Sequence, residues 1–121
     1  MKKRVVYVNG NFVDEDKAKV SVFDRGFLFA DAVYEVTAVI DGKILEWDGH
    51  VKRLERSLKE LDMKFPISET ELLDIHFDLI KKNTLKEGLI YLQVTRGEDD
   101  RSFDYPDESV KPTLVLFTQV K

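Results

Sequence analysis

Between Val20 and Val36 the chain reads V-S-V-F-D-R-G-F-L-F-A-D-A-V-Y-E-V, which sets acids, an arginine and a tyrosine among apolar residues around Gly26. An ordinary strand has no need of those groups. Further along, Arg53 stands in His50-Val51-Lys52-Arg53-Leu54. A guanidinium offers several N–H donors in a rigid fork suited to a phosphate, and it stays charged at any working pH. Read from composition alone, Arg53 is equally a solvated arginine on a helix that also exposes Lys52, Glu55, Arg56 and Lys59. Other chemistries are poorly supplied. With no cysteine the chain has no disulfide, thiolate zinc site or cysteine nucleophile. The two histidines, His50 and His76, are too far apart in sequence to form a metal motif. Neither neighbours a serine or acid in a way that spells a triad, so both read as surface or helix-end residues.

The elements that must position these groups can be placed from pattern. Val5 to Val8 and Asn11 to Val13 flank Asn9-Gly10, a dipeptide that supplies positive φ to a two-residue hairpin turn. A second hairpin joins the β-branched run Val33 to Ile40 to Lys43 to Leu45 across Asp41-Gly42. On the first of these strands Tyr34 and Val36, two residues apart, share one face. From Asp48 to Asp62, Val51, Leu54, Leu58 and Leu61 recur at spacings of three and four, the stripe of an amphipathic helix, and Trp47 packs at its start. Ser68-Glu69-Thr70-Glu71 has the form of a capping box ahead of a second helix, whose apolar residues include Leu72, Leu73, Ile75, Leu79 and Ile80, with Asn83 as its C-terminal cap. Pro66 separates the two helices. Leu89 to Thr95 and Thr113 to Val120 read as strands joined by a polar loop, Gly97 to Lys111, which holds six acids. Asp24, Arg25 and Gly26 build a turn, Gly26 by taking a positive φ and Asp24 by capping backbone amides or pairing with Arg25.

Strands, then helices, then strands predict an α+β domain, a mostly antiparallel sheet with two helices packed on one face. At 121 residues one core is expected, and 43% hydrophobic with 35% charged residues is the composition of a globular domain. Nineteen basic against twenty-three acidic residues leave a formal charge of -4, which argues against a nucleic-acid surface. The basic N-terminus is followed by an apolar stretch too short for a signal peptide, and no run is long enough to span a membrane, so a cytoplasmic protein is expected.

The Phe-Asp-Arg-Gly turn at residues 23–26, the Asp-Ala-Val-Tyr-Glu segment at 31–35 and the His-x-x-Arg-Leu segment at 50–54 resemble the fold-type IV, pyridoxal-phosphate-dependent transaminases (aminotransferase class IV), most closely the D-amino-acid branch. The resemblance runs the whole chain. It implies the small N-terminal domain of that fold over residues 1–121, with Arg53 on the phosphate of pyridoxal 5'-phosphate. Tyr34 would face the substrate carboxylate, and Val36 would line the pocket. It also implies that Thr95-Arg96-Gly97 leads to Arg101, which would trap the substrate carboxylate from the neighbouring subunit of a homodimer. In the D-amino-acid branch a histidine follows two residues after that arginine. Here Phe103 stands in its place and cannot donate a hydrogen bond. Without the resemblance, Arg101 is an exposed loop arginine pairing with Asp99, Asp100 or Asp104.

Transamination between an amino acid and a 2-oxo acid further needs a lysine that forms a Schiff base with the cofactor. The resemblance places that lysine in a second, larger domain, so no catalytic residue and no metal ligand is assigned to this chain. The expectation is an N-terminal domain that is inactive alone. The alternatives are a stand-alone, non-catalytic dimerisation or binding module and, within the family, a branched-chain aminotransferase or an aminodeoxychorismate lyase.

Overall fold

Two Asx-Gly dipeptides fold the chain back on itself. Asn9 and Gly10 adopt φ of 47° and 97°, Asp41 and Gly42 φ of 51° and 70°, the left-handed pairs whose twist matches that of the strands they join. In the computed structural model, which describes residues 3–121, they connect β1 (Val5–Val8) to β2 (Asn11–Asp14) and β3 (Ala32–Ile40) to β4 (Lys43–Ile44). β5 (Gly88–Thr95) and β6 (Thr113–Val120) complete one six-stranded sheet of order β2-β1-β6-β5-β3-β4, antiparallel throughout. The fold is α+β, as the element order predicts.

Both long helices lie on one face of the sheet. α2 (Trp47–Glu60) turns Val51, Leu54 and Leu58 inward, and α3 (Glu69–Asn83) turns Leu72, Ile75, His76 and Leu79. They meet Val39, Ile90, Leu92, Val94, Leu114 and Leu116 from β3, β5 and β6. Trp47 packs on this core with its ring edge-to-face on His76. α3 starts as its sequence suggests, since the Ser68 hydroxyl oxygen accepts the Glu71 N–H at 3.1 Å.

Four readings are corrected by the structure. The cap of α3 is Thr84, in the left-handed region at φ 49°, because Asn83 is engaged elsewhere: its side chain donates to Val5 O at 3.0 Å and accepts from Val5 N at 2.7 Å. His76 is no surface histidine but is 2% exposed, its Nδ1 donating to Leu72 O at 2.8 Å. Residues 24–29 form more than a turn, since Asp24 caps a short helix, α1 (Arg25–Phe29), by accepting the Gly26 N–H at 2.8 Å. Gly26 is helical, and it is required there because a Cβ would lie 2.5 Å from Thr95 Cγ2. Of the two roles open to Asp24 it takes the backbone cap, and Arg25 pairs with Asp31.

Burial lowers the His76 pKa to about 4, the bond to Leu72 offsetting part of the shift and His50 adding to it. A histidine held neutral in the fold takes up its proton more readily when unfolded. Its contribution is therefore whole above pH 6.5 and is lost as pH falls from 6.5 toward 4, by about 3 kcal/mol at most. Urea unfolding between about pH 7 and pH 4.5 is expected to show that decline, and His76→Leu is expected to flatten it.

Candidate functional site

Period-two alternation on β3 divides its polar groups between two environments. Tyr34 and Val36 point to the face without helices, 62% and 39% exposed, whereas Glu35 points under α2 with its side chain 7% exposed. The expectation that Tyr34 and Val36 share a face holds. Tyr34 stacks on Tyr91 at 5.7 Å and Tyr91 on Phe117 at 4.9 Å, so an aromatic row crosses the open face from β3 to β6.

Glu35 organises the other side. Arg53 Nε donates to its Oε2 at 2.8 Å and Arg53 Nη2 to its Oε1 at 2.7 Å, a side-on fork of two parallel bonds. His50, one turn earlier on α2, contributes a third bond from Nδ1 to Oε1 at 2.8 Å. To donate there Nδ1 must carry its proton, so the 3.2 Å approach of Arg53 Nη2 to it is a contact between two donors. Burial alone would raise the Glu35 pKa, but the hydrogen bonds from Arg53 and His50 and their charges outweigh it and hold the carboxyl below its usual range. Glu35 in turn raises the Arg53 pKa.

The consequence is an oriented cation. Arg53 is fixed along one edge by Glu35, while its side chain is 54% exposed and Nη1 has no partner among the described residues. Tyr34, on the other face of the same strand, is among the groups that act electrostatically on Arg53. Arg53 thus reaches β3 through Glu35, the residue next to Tyr34 on that strand, while Tyr34 itself points to the opposite face. His50, a helix-end residue by its sequence, belongs to this cluster, and so does Glu35, which no motif chemistry singles out. The signals for Glu35 in the sequence are an acid at an inward position of an alternating strand and its place in the Asp-Ala-Val-Tyr-Glu segment.

Arg101 lies elsewhere, on the loop between β5 and β6. Among the described residues it forms no ion pair with Asp99, Asp100 or Asp104. Its guanidinium carbon lies 5.1 Å from the centre of the Phe29 ring and 5.2 Å from that of Phe103, and the two ring centres are themselves 5.7 Å apart. Phe103 is 83% exposed and tilts on Phe29 at 5.7 Å. Both rings therefore lie to one side of the Arg101 guanidinium, and the residue is otherwise exposed to a ligand. Hydrogen bonds join Arg101 to neither Tyr34 nor Arg53 among the described residues. No helix of the described residues is long and apolar enough to cross a membrane.

Known proteins resemble this chain at three levels. The family model for amino-transferase class IV matches residues 32–121. The D-alanine aminotransferase of Staphylococcus haemolyticus is 38% identical over 114 residues, 94% of this chain and 40% of that protein. Among solved structures, a branched-chain amino acid aminotransferase from Escherichia coli superposes with a TM-score of 0.87 at 23% identity, over 99% of this chain and 42% of that one. The 4-amino-4-deoxychorismate lyase of Pseudomonas aeruginosa gives 0.75 at 29% identity, over 95% of this chain and 39% of the other. The chain therefore spans about two fifths of the length of the relatives it matches.

If Glu35 is what fixes Arg53 and His50, Glu35→Gln removes the charge that three N–H groups address. The variant is expected to melt roughly 5 °C lower and to lose the part of the acid-side stability decline that Glu35 causes as its depressed pKa is reached. Calorimetric melting across about pH 3 to pH 7 checks both.

Proposed function

Since the chain belongs to the class IV aminotransferases, we propose that it is the small N-terminal domain of a pyridoxal-phosphate-dependent transaminase that moves an amino group between an amino acid of the D-alanine or D-glutamate type and a 2-oxo acid. The observation that carries the proposal is the Arg53 fork, locked by Glu35 along one edge and open along the other. The similarity to D-alanine aminotransferase supports the D-amino-acid assignment.

The residues present fit the phosphate end of the cofactor. Arg53 keeps Nη1 and the outer N–H of Nη2 unbonded among the described residues, an arrangement that matches adjacent oxygens of a phosphate. Its orientation is fixed beforehand, so little side-chain freedom is lost on binding. Pyridoxal phosphate, when bound, supplies an electron sink for charge developing on the substrate carbon. Tyr34 presents a hydroxyl that can donate to a substrate carboxylate, and Val36 supplies an apolar wall next to it on the same face. Arg101 offers its in-plane edge to a carboxylate, as the family resemblance suggests, across the interface of a homodimer. The lysine and the larger domain would come from protein beyond these 121 residues, and the whole enzyme would be cytoplasmic.

A second reading within the family is favoured by one residue. Phe103 replaces a donor by a ring next to Arg101, which weakens a carboxylate trap of the D-amino-acid kind and suits a branched-chain substrate.

In the full-length enzyme, Arg53→Ala is expected to weaken cofactor binding by about tenfold or more, whereas Arg101→Ala mainly raises KM for the amino acid. Cofactor titration and steady-state kinetics separate the two effects, and unchanged values in both would remove these arginines from the site. Phe103→His is expected to lower KM for D-alanine. A fall instead in activity toward D-alanine, with branched-chain L-amino acids preferred from the start, would favour the second reading.

A further inference from the structure

Arg101 is exposed, yet the loop that carries it is tied to the body of the domain by buried charge. The tie is centred on Asp31. One of its oxygens, Oδ2, accepts from Arg25 Nε at 2.9 Å and from Arg96 Nε at 2.7 Å. Burial opposes ionisation of Asp31, but the two guanidiniums prevail and hold its pKa below the usual value. Each arginine then directs its remaining donors to backbone. Arg96 Nη2 donates to Leu61 O at 2.6 Å, which anchors the cluster to the end of α2, and its guanidinium lies 4.7 Å from the centre of the Tyr105 ring. Arg25 Nη1 donates to Ser102 O at 3.0 Å and approaches Asp104 O at 3.4 Å.

Those two carbonyls flank Phe103, and Ser102 directly follows Arg101. Arg25 is 5% exposed, and the Phe29 ring lies 4.7 Å from its guanidinium carbon, the same ring on which Arg101 stacks. The backbone reinforces the arrangement: Arg25 N donates to Gly97 O at 2.8 Å and Asp99 N to Phe23 O at 3.2 Å. The foot of the loop is closed by Gly97 at φ 106°, where a Cβ would collide with Lys111 O.

We propose that Arg25 is a positioning residue for substrate-carboxylate recognition, acting through Arg101. It pins the carbonyls of residues 102 and 104, so that Arg101 and Phe103 close on Phe29 and the Arg101 N–H edge is presented in one orientation. Asp31 aims Arg25, and Arg96 aims Asp31. This inference rests on the reading of Arg101 as a carboxylate contact. Its physical basis is preorganisation: without the two carbonyl bonds, a polar loop that holds six acids has to be ordered by the substrate itself, and affinity for the substrate falls while cofactor binding does not.

The test is a double-mutant cycle in the full-length enzyme with R25Q, R101A and R25Q/R101A, reading KM, kcat and cofactor affinity. R25Q is expected to raise KM for the amino acid by about fivefold or more, with kcat and cofactor affinity changed by less than about twofold, and the double variant is expected to match R101A alone. R25K retains a charge opposite Asp31 but cannot span two carbonyls, and it is expected not to restore KM. A lowered melting temperature with unchanged KM, a full rescue by R25K, or an R25Q penalty that multiplies undiminished onto R101A would overturn the proposal. An unchanged KM in R101A alone would instead overturn the reading of Arg101 beneath it. Should R25Q not fold, F29L leaves the ion cluster whole and removes the shared ring. The same rise in KM, absent again on the R101A background, is then expected, and an unchanged KM in F29L refutes the inference.

Discussion

A carboxylate under a helix must be compensated where it lies, and Glu35 is that carboxylate. Its neighbours along the inward side of β3 are Val33, Thr37 and Val39, none of which can satisfy a charge. Desolvating an isolated ion is costly enough that the chain must bring donors to it or leave it neutral. α2 brings both, from residues three apart on one helical face, and so the helix has one rotation and one height on the sheet that satisfies Glu35. The apolar stripe of Val51, Leu54 and Leu58 is compatible with several small slides of α2, whereas the side-on fork is not. Orientation of Arg53 and seating of the helix are thus the same event.

The acid at Asp31 repeats this logic four residues earlier at the mouth of the strand. There the donors come from outside the two long helices, one from the five-residue α1 and one from the end of β5. A buried carboxylate on β3 and a largely covered one just before it therefore connect α1, α2 and the β5–β6 loop to a single piece of sheet. The Glu35 partner Arg53 keeps donors free for a ligand, whereas the Asp31 partners Arg25 and Arg96 spend theirs on backbone carbonyls.

The periodic parts of this fold are legible in the sequence because they are local. Asn9-Gly10 and Asp41-Gly42 dictate their own turns, and the 3–4 spacing in α2 and the Ser68 cap need no knowledge of the rest of the chain. Tyr34 and Val36 on a shared face follow from alternation alone. What escapes is set by pairing over distance. Glu35 meets its partners fifteen and eighteen residues away, Arg25 meets Ser102 across seventy-seven, and nothing in the local pattern of either announces it. His76 eludes a sequence reading because a histidine in a helix is polar by type, and only the Trp47 ring above it and the carbonyl beneath make its burial tolerable. Gly26 invites an explanation from backbone freedom, when its real constraint is the Thr95 methyl on β5.

Asn83 shows how such distance is closed with a single side chain. β6 pairs with β1 at Tyr7 and Val8 only, which leaves the inner edge of Val5 without a strand beside it. The Asn83 amide donates to the Val5 carbonyl and accepts from the Val5 N–H, the two-bond exchange by which one residue of an antiparallel ladder holds its opposite. One amide thereby imitates a rung of sheet, and it does so from the last residue of a helix. The opening strand and the final turn of α3 become a single cooperative unit: fraying at either end breaks the same pair of bonds, so the beginning of the chain is guarded by a residue from its third quarter.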